Sequence, residues 1–222
     1  MWQKVNPIGM RVWIMKSRPA EWYAKTRSQW ASFFVEDIKI RDFLEKKLAR
    51  SSIAKIVIRK TLKEGEIIIF TAKMGVLMWK NGERIKQLEE DLTKKFGKPF
   101  KVTVKEVKVP ELSAKIMAEH IASQLENRMP YRKVVKSVLA KVMEKWAHGI
   151  KIQIGGRLGG ADIARSEKFI DGRVSLQTFR SDIDYHYLQA MTKYGVLWIK
   201  VWIEKGVIPS PKKKAKKTLS LD

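Results

Sequence analysis

Asp182, Asp184 and His186 alternate along the chain, so a strand would turn all three to one face, where they could hold a divalent metal for phosphodiester chemistry. Two carboxylates and an imidazole without a further acidic cluster do not specify a metal. Their other role is structural: balancing neighbouring cations such as Arg180 in a basic region. His120 and His148 stand apart, and no Ser/His/Asp grouping is visible. With no cysteine, the chain has no disulfide, thiolate zinc site or cysteine nucleophile, which suits a reducing compartment. The segment GGRLGGA at 155–161 has the glycines of a phosphate loop but no following Gly-Lys-Ser/Thr, so nucleotide hydrolysis is not expected. It reads as a tight strand-to-helix connection that could also seat an RNA phosphate. These residues therefore predict no enzyme, no cofactor and no metal.

Cations dominate what remains. Lys and Arg number 46 against 23 Asp and Glu, a formal charge of +23. A compact domain this positive repels itself, so a polyanionic partner is expected. The Lys-rich run at 212–217 supplies only a small part of the surplus. After Tyr131, Arg132, Lys133, Lys136, Lys141 and Lys145 face the single acid Glu144, and the spacing of Arg132 and Lys136 puts them on one helix face. Such a stripe is usually a solvated face; without acidic partners it reads better as a neutraliser of phosphates. Lys4, Arg11, Lys16, Arg18, Lys25 and Arg27, interleaved with Trp13, Trp22 and Tyr23, suggest an arm that stacks and pairs on RNA.

The elements that must position these groups follow from periodicity. Residues 1–35, broken by Pro7, Gly9 and Pro19, predict an extended basic and aromatic arm. Next come a helix over 36–48, strands at 53–59 and 67–71, and a short helix to Trp79. A tight turn at Lys80-Asn81-Gly82, a helix over 83–95 and a strand near 100–107 complete 36–109, the element order of a type II KH domain. From Pro110 the pattern predicts helices at 113–128 and 131–146, a strand at 150–154, and strands around 178–187 and 196–203 joined by a longer loop. The fold class is thus α+β: an arm, a type II KH domain, then a second α+β domain over 110–208 with two helices on an antiparallel or mixed sheet. Residues 209–222 read as a disordered basic tail. No apolar run reaches membrane-spanning length and no signal-peptide core is present, so a cytoplasmic protein off the membrane is expected.

Several strings carry a family resemblance: MWQKVNPIGMR at the start, EDIKIRDFL at 36–44, the KH turn, PELSAKIMAEHIASQLENR at 110–128, GRLGGADIARSE at 156–167, RSDIDY at 180–185 and YGVLWIKVWIEKG at 194–206. In this order they resemble the family of bacterial small-subunit ribosomal protein number three, from residue 1 to about 208; GRLGGADIARSE with the later DIDY is close to diagnostic. A match from residue 1 also argues against a cleaved presequence. The resemblance implies a KH domain followed by the family's own C-terminal domain in the head of the small ribosomal subunit. It implies contacts with small-subunit rRNA and head proteins ten and fourteen, and a place in the mRNA entrance channel beside proteins four and five, where the family helps unwind mRNA. The implied RNA-binding residues are Lys4, Asn6 and Arg11 in the arm; Lys80, Asn81 and Gly82 in the KH turn; and Arg132, Lys133 and Lys136 at the mRNA. Arg157, Gly159, Gly160, Arg165, Arg173 and Arg180 are implied around the glycine loop. Lys133 replaces a usual arginine, keeping the charge but losing the planar fork that grips phosphate. Two other readings are a free-standing KH regulator of single-stranded RNA, which would need neither the arm nor the C-terminal domain, and a nuclease using Asp182 and Asp184.

Matched to that family pattern, Trp2, Trp13, Trp79, Trp146 and Trp198 fall where it carries glycine, Trp22 and Trp202 where it carries tryptophan, and Trp30 where another aromatic is usual. At Trp79 this replaces the first glycine of the G-x-x-G turn, where an indole obstructs close phosphate approach; an ordinary turn with a decayed RNA site is one reading. Repeated exchange of the smallest residue for the largest has no packing logic, and it reads better as UGA translated as tryptophan in a source that decodes it as glycine. In that case the gene carries UGA at these five codons, and protein from native ribosomes is lighter than this sequence by five tryptophan-to-glycine differences. UGG at all five codons contradicts the reading.

Overall fold

The computed structural model describes residues 4–12, 14–48, 51–61, 65–77 and 79–208, with the backbone alone at 79–82. Trp2, Trp13 and the predicted tail at 209–222 lie outside the described residues.

The arm opens with a short helix, α1 (Pro7–Arg11), begun by Asn6, whose Oδ1 accepts the Ile8 N–H at 2.9 Å. Strand β1 (Ala20–Trp22) then pairs parallel with β2, Ala20 opposite Ile58. Helix α2 (Arg27–Lys47) starts nine residues before the place its periodicity suggests, capped by Thr26, which accepts the Gln29 N–H at 3.3 Å. Its first turns carry Trp30, Phe33 and Phe34, with Trp30 stacked on Phe34 at 5.2 Å and Trp22 edge-on to Phe33 at 5.8 Å. This aromatic cluster covers the helix without the regular apolar spacing that signals one. The arm is thus extended only between short docked elements.

Strands β2 (Ile53–Lys60) and β3 (Gly65–Thr71) pair antiparallel, and β4 (Phe100–Glu106) lies parallel to β3, giving the order β1-β2-β3-β4. Helices α3 (Met74–Leu77) and α4 (Trp79–Phe96) connect β3 to β4. Ile40 and Leu44 of α2 and Leu88 and Leu92 of α4 bury against Ile56, Ile58, Ile67 and Ile69. From α2 to β4 this is the type II KH arrangement. Lys80, Asn81 and Gly82 do not form the predicted turn, however; their backbone is already helical in the first turn of α4. Helical backbone through 79–82 suits a tryptophan better than the glycine the turn calls for, since glycine is the weaker helix former.

In the second half, α5 (Ala114–Glu126) and α6 (Tyr131–Glu144) cover one face of an antiparallel sheet in the order β6-β5-β8-β7. Its strands are β5 (Gly149–Gly156), β6 (Arg165–Gly172), β7 (Ser181–Thr192) and β8 (Gly195–Val207). Alternation sends Ile150, Ile152, Ile154, Ile199, Val201 and Ile203 to the helix side, where they meet Ile121, Val135, Val138 and Val142. Ala54 and Ala72 from the KH half pack on this same core, so the two cores adjoin. Two connections differ from expectation. The strands β7 and β8 extend to Thr192 and Gly195 and turn on just two residues, rather than through a longer loop. The glycine segment leads into β6, not a helix: Gly156, Gly159 and Gly160 sit at φ +128, +68 and +84, and left-handed backbone there reverses the chain into a neighbouring strand.

Helix α6 ends on Trp146, which takes φ +62 with 90% of its surface exposed. This is the left-handed position that closes helices and strongly favours glycine. Trp146→Gly is expected to stabilise the fold by about 1 kcal/mol, read as a higher denaturation midpoint; a lower midpoint would show that the exposed indole contributes more than its backbone strain costs.

Candidate nucleic-acid interface

The strongest cation array lies on α6. Val134, Val135, Val138 and Val142 are buried, and this helical spacing leaves Arg132, Lys133, Lys136, Lys141 and Lys145 outside. The Tyr131 hydroxyl donates to Glu167 Oε1 at 3.0 Å, and Arg132 Nε donates to the Tyr131 oxygen at 3.0 Å. Arg132 and Arg165 both approach the same Glu167 oxygen, at 3.5 and 3.4 Å, with their side chains 66% and 55% exposed. One carboxylate thus orients two guanidinium groups and cannot neutralise both. Lys133 and Lys136 have no ion pair among the described residues. The result is a positive ridge from α6 to the start of β6, presenting directed forks and mobile ammonium groups toward solvent.

At the adjoining end of β5, Arg157 braces the glycine loop. Its Nε donates to the Ala161 carbonyl at 2.8 Å, Nη1 to the Tyr194 carbonyl at 3.4 Å, and Nη2 meets Asp162 at 3.2 Å. Gly160 is favoured by its φ of +84, and a β-carbon there would stand a tight 3.3 Å from the exposed Tyr194 ring. Gly159 faces open space. Because no helix follows, no helix-terminal dipole serves a phosphate here; what the loop offers is exposed backbone beside Arg165, which pairs with Gly156 across the strands.

The remaining sites separate. Arg173 follows the far end of β6, where Gly172 pairs with Gly149, seven residues along β5 from Gly156, or about 23 Å. Its Nε donates to Ser175 Oγ at 3.0 Å, and Arg180 is exposed just before β7. Lys4 is exposed on the arm, while Asn6 uses its side-chain oxygen to cap α1. Lys80 and Asn81 are carried by α4, not by a loop, and their side chains, like anything Gly82 packs against, lie outside the described residues.

Arg11 requires correction. Expected to face RNA, it is 1% exposed and donates to four carbonyls: Ser181 at 2.8 Å, Pro7 and Leu176 at 3.0 Å each, and Thr178 at 2.9 Å. Nearby Glu204, 2% exposed, accepts the Ser175 N–H at 2.5 Å and the Ser181 hydroxyl at 2.6 Å. Together they pin the arm to the second domain. Neither role could be read locally, since Arg11 reaches partners about 170 residues on. The Asp182/Asp184 pair is likewise engaged. Asp182 stands 2.8 Å from Lys16 Nζ, and Asp184 accepts the Ala114 N–H at 3.0 Å, starting α5 from a strand 70 residues away. Their oxygens hold the arm and a helix rather than converging with His186, and no three His, Cys, Asp or Glu residues gather as metal ligands among the described residues.

A KH unit joined to a two-helix, antiparallel-sheet domain with an exposed cation ridge is the architecture of a nucleic-acid-binding protein. Comparison with known proteins agrees at both levels. Residues 39–112 match the KH domain family, and residues 121–203 match the ribosomal protein S3 C-terminal domain. The chain is 44% identical to small ribosomal subunit protein uS3 of Vesicomyosocius okutanii subsp. Calyptogena okutanii over 213 residues, covering 96% of this chain and 92% of that protein. It is 42% identical to the protein of that name from Pseudomonas fluorescens over 229 residues, covering 98% and 100%, and 43% identical to that of Marinobacter nauticus over 208 residues, covering 94% and 91%. The chain belongs to the uS3 family, a family of ribosomal structural proteins and not of enzymes.

Removing the buried guanidinium leaves four carbonyls without their shared donor. Arg11→Ala is expected to cost about 1–3 kcal/mol in denaturant unfolding while leaving the α6 ridge chemically intact. A loss of RNA affinity with unchanged stability would instead return Arg11 to the RNA-facing set.

Proposed function

We propose that this chain is a structural constituent of the small ribosomal subunit, binds its rRNA, and lines the entrance path of mRNA with the α6 ridge. The carrying observation is Arg132, Lys133 and Lys136 exposed side by side, sharing no carboxylate but Glu167 among the described residues. Phosphate neutralisation along a strand needs this arrangement: charge in a row, with counterions rather than protein acids as the groups displaced. A ridge that holds single strands at their backbones also disfavours re-pairing behind them, which supports a part in opening structured messages. The relatives' shared name, small ribosomal subunit protein uS3, supports residence in the small subunit. On this reading the protein works on the ribosome, with proteins ten and fourteen as neighbours in the head and four and five beside the entrance channel. Arg157, Gly159, Gly160, Arg165, Arg173, Arg180 and Lys4 are assigned to rRNA. Among the described residues no helix is long and apolar enough to cross a membrane.

A free-standing RNA regulator is separated from this reading by sedimentation: the native protein is expected to travel with small subunits, and a purely free pool favours the regulator. Arg132→Ala combined with Lys136→Ala is expected to slow translation of hairpin-containing messages several-fold while subunit assembly proceeds. Unchanged translation of such messages removes these residues from the mRNA path.

A further inference from the structure

The face of the second sheet turned away from α5 and α6 carries no helix but the short α1, at the end where the arm crosses it. Along β5 and β6 it presents Lys151, Gln153 and Lys168, and along β8 and β7 Lys200, Tyr185 and Tyr187. Its one carboxylate by strand alternation, Glu204, is buried at the far end and bonded to Ser175 and Ser181. Lys151, Lys168 and Lys200 have no ion pair among the described residues. Instead, Lys151 lies over the Trp202 ring at 5.2 Å, and Lys200 lies between the Trp198 ring at 5.1 Å and the Tyr187 ring at 5.9 Å. Burial, then the neighbouring Lys4 and Lys168, hold Lys151 below the usual lysine range, so an arriving anion relieves a repulsion already present. Tyr187 is 44% exposed, its hydroxyl fixed by Gln189 Nε2 at 3.0 Å.

Where the arm crosses this face, a cavity of 580 Å³ opens between them. The arm supplies Lys4 and Asn6; the sheet supplies Gln153, Tyr185, Lys200 and Trp202. Tyr185 and Trp202 lie ring to ring at 5.2 Å, an apolar wall beside an amide and two ammonium groups. The volume falls within the range of about 300–1,000 Å³ typical of ligand sites, with room for a nucleotide.

We propose that this sheet face is a second RNA site, distinct from the α6 ridge, which takes an unpaired segment of the small subunit's own rRNA. One base enters the cavity between arm and sheet, the next stacks on Tyr187, and Lys4, Lys151, Lys168 and Lys200 meet the phosphates. An open four-stranded sheet with aromatic rings and lysines among few acids suits single strands, whose bases are free to stack, better than a duplex. The occupant is rRNA and not mRNA because the sheet separates this face from α6, so a message lying along that helix passes on the other side. Trp198 lies on the same face, its ring 5.1 Å from Lys200 Nζ, but it does not line the cavity, whose walls are supplied by other residues whichever residue position 198 holds.

The test uses the full chain carrying Arg132→Ala and Lys136→Ala, with a short labelled oligouridine as probe and fluorescence anisotropy as readout. In that background Tyr187→Ala and Lys200→Ala are each expected to weaken binding about tenfold, Tyr187→Phe to preserve it, and a duplex of equal length to bind more weakly. Unchanged affinity in both alanine variants, with wild-type circular dichroism, overturns the site while leaving the α6 reading untouched. In native small subunits, ultraviolet cross-links from peptides covering 185–202 are expected to map to rRNA with or without message bound. Cross-links solely to message or to a neighbouring protein overturn the assigned occupant.

Discussion

A chain with 46 cations and 23 acids must fold with at least half of its cations lacking an acid of their own, and the architecture answers to that constraint. Several of its acids sit at joints. Glu36 lies between Lys60 and Lys98, at 3.3 and 3.4 Å, tying α2 to the KH sheet. Asp182 fastens Lys16 of the arm, Asp184 begins α5, Glu204 sits buried near Arg11, and Glu167 aligns Arg132 with Arg165. Carboxylates so placed hold elements together and leave the outward cations without protein counterions. Surface ion pairs contribute little to stability, but bare cations in rows bind polyanions well.

The buried polar set around Arg11 sets the position of the arm. A guanidinium fork shared among four carbonyls, with Glu204 nearby, fixes α1 against the start of β7, and Lys16 extends the attachment by donating to the Ile183 carbonyl at 2.9 Å. The arm then adds β1 to the KH sheet, where Arg41 also donates to the Pro19 carbonyl at 2.9 Å. One basic segment thus spans both domains, and its position creates the cavity on the open sheet face. An arm expected to lie wholly on RNA is in large part a structural strap.

Much of this was legible locally. Isoleucines alternate in β5 and recur through β2, and a run of three marks β3, while Pro130 with valines at helical spacing marks α6 and says which side its cations occupy. The type II KH order follows from such segments. What escaped depends on partners far along the chain or on backbone state. The early start of α2 was hidden because Trp30, Phe33 and Phe34 pack among themselves and with Trp22. The glycine segment looked able to open a helix because sequence does not display the φ values that send it into β6. Arg11 resembled its exposed neighbours in type and spacing; only the carbonyls of Leu176, Thr178 and Ser181, brought in by the fold, distinguish it. The KH turn differs for another reason: a tryptophan stands where the turn calls for glycine.

The central claim is that an RNA scaffold neutralises this fold's surplus cations in place. Its most direct measurement is titration of the purified full chain with small-subunit rRNA across a salt series, with circular dichroism recorded in parallel. The account predicts tight binding at low ionic strength whose logarithm falls steeply and linearly with the logarithm of salt, the spectrum staying that of the native α+β fold. A properly folded chain that ignores this RNA at low salt would contradict it.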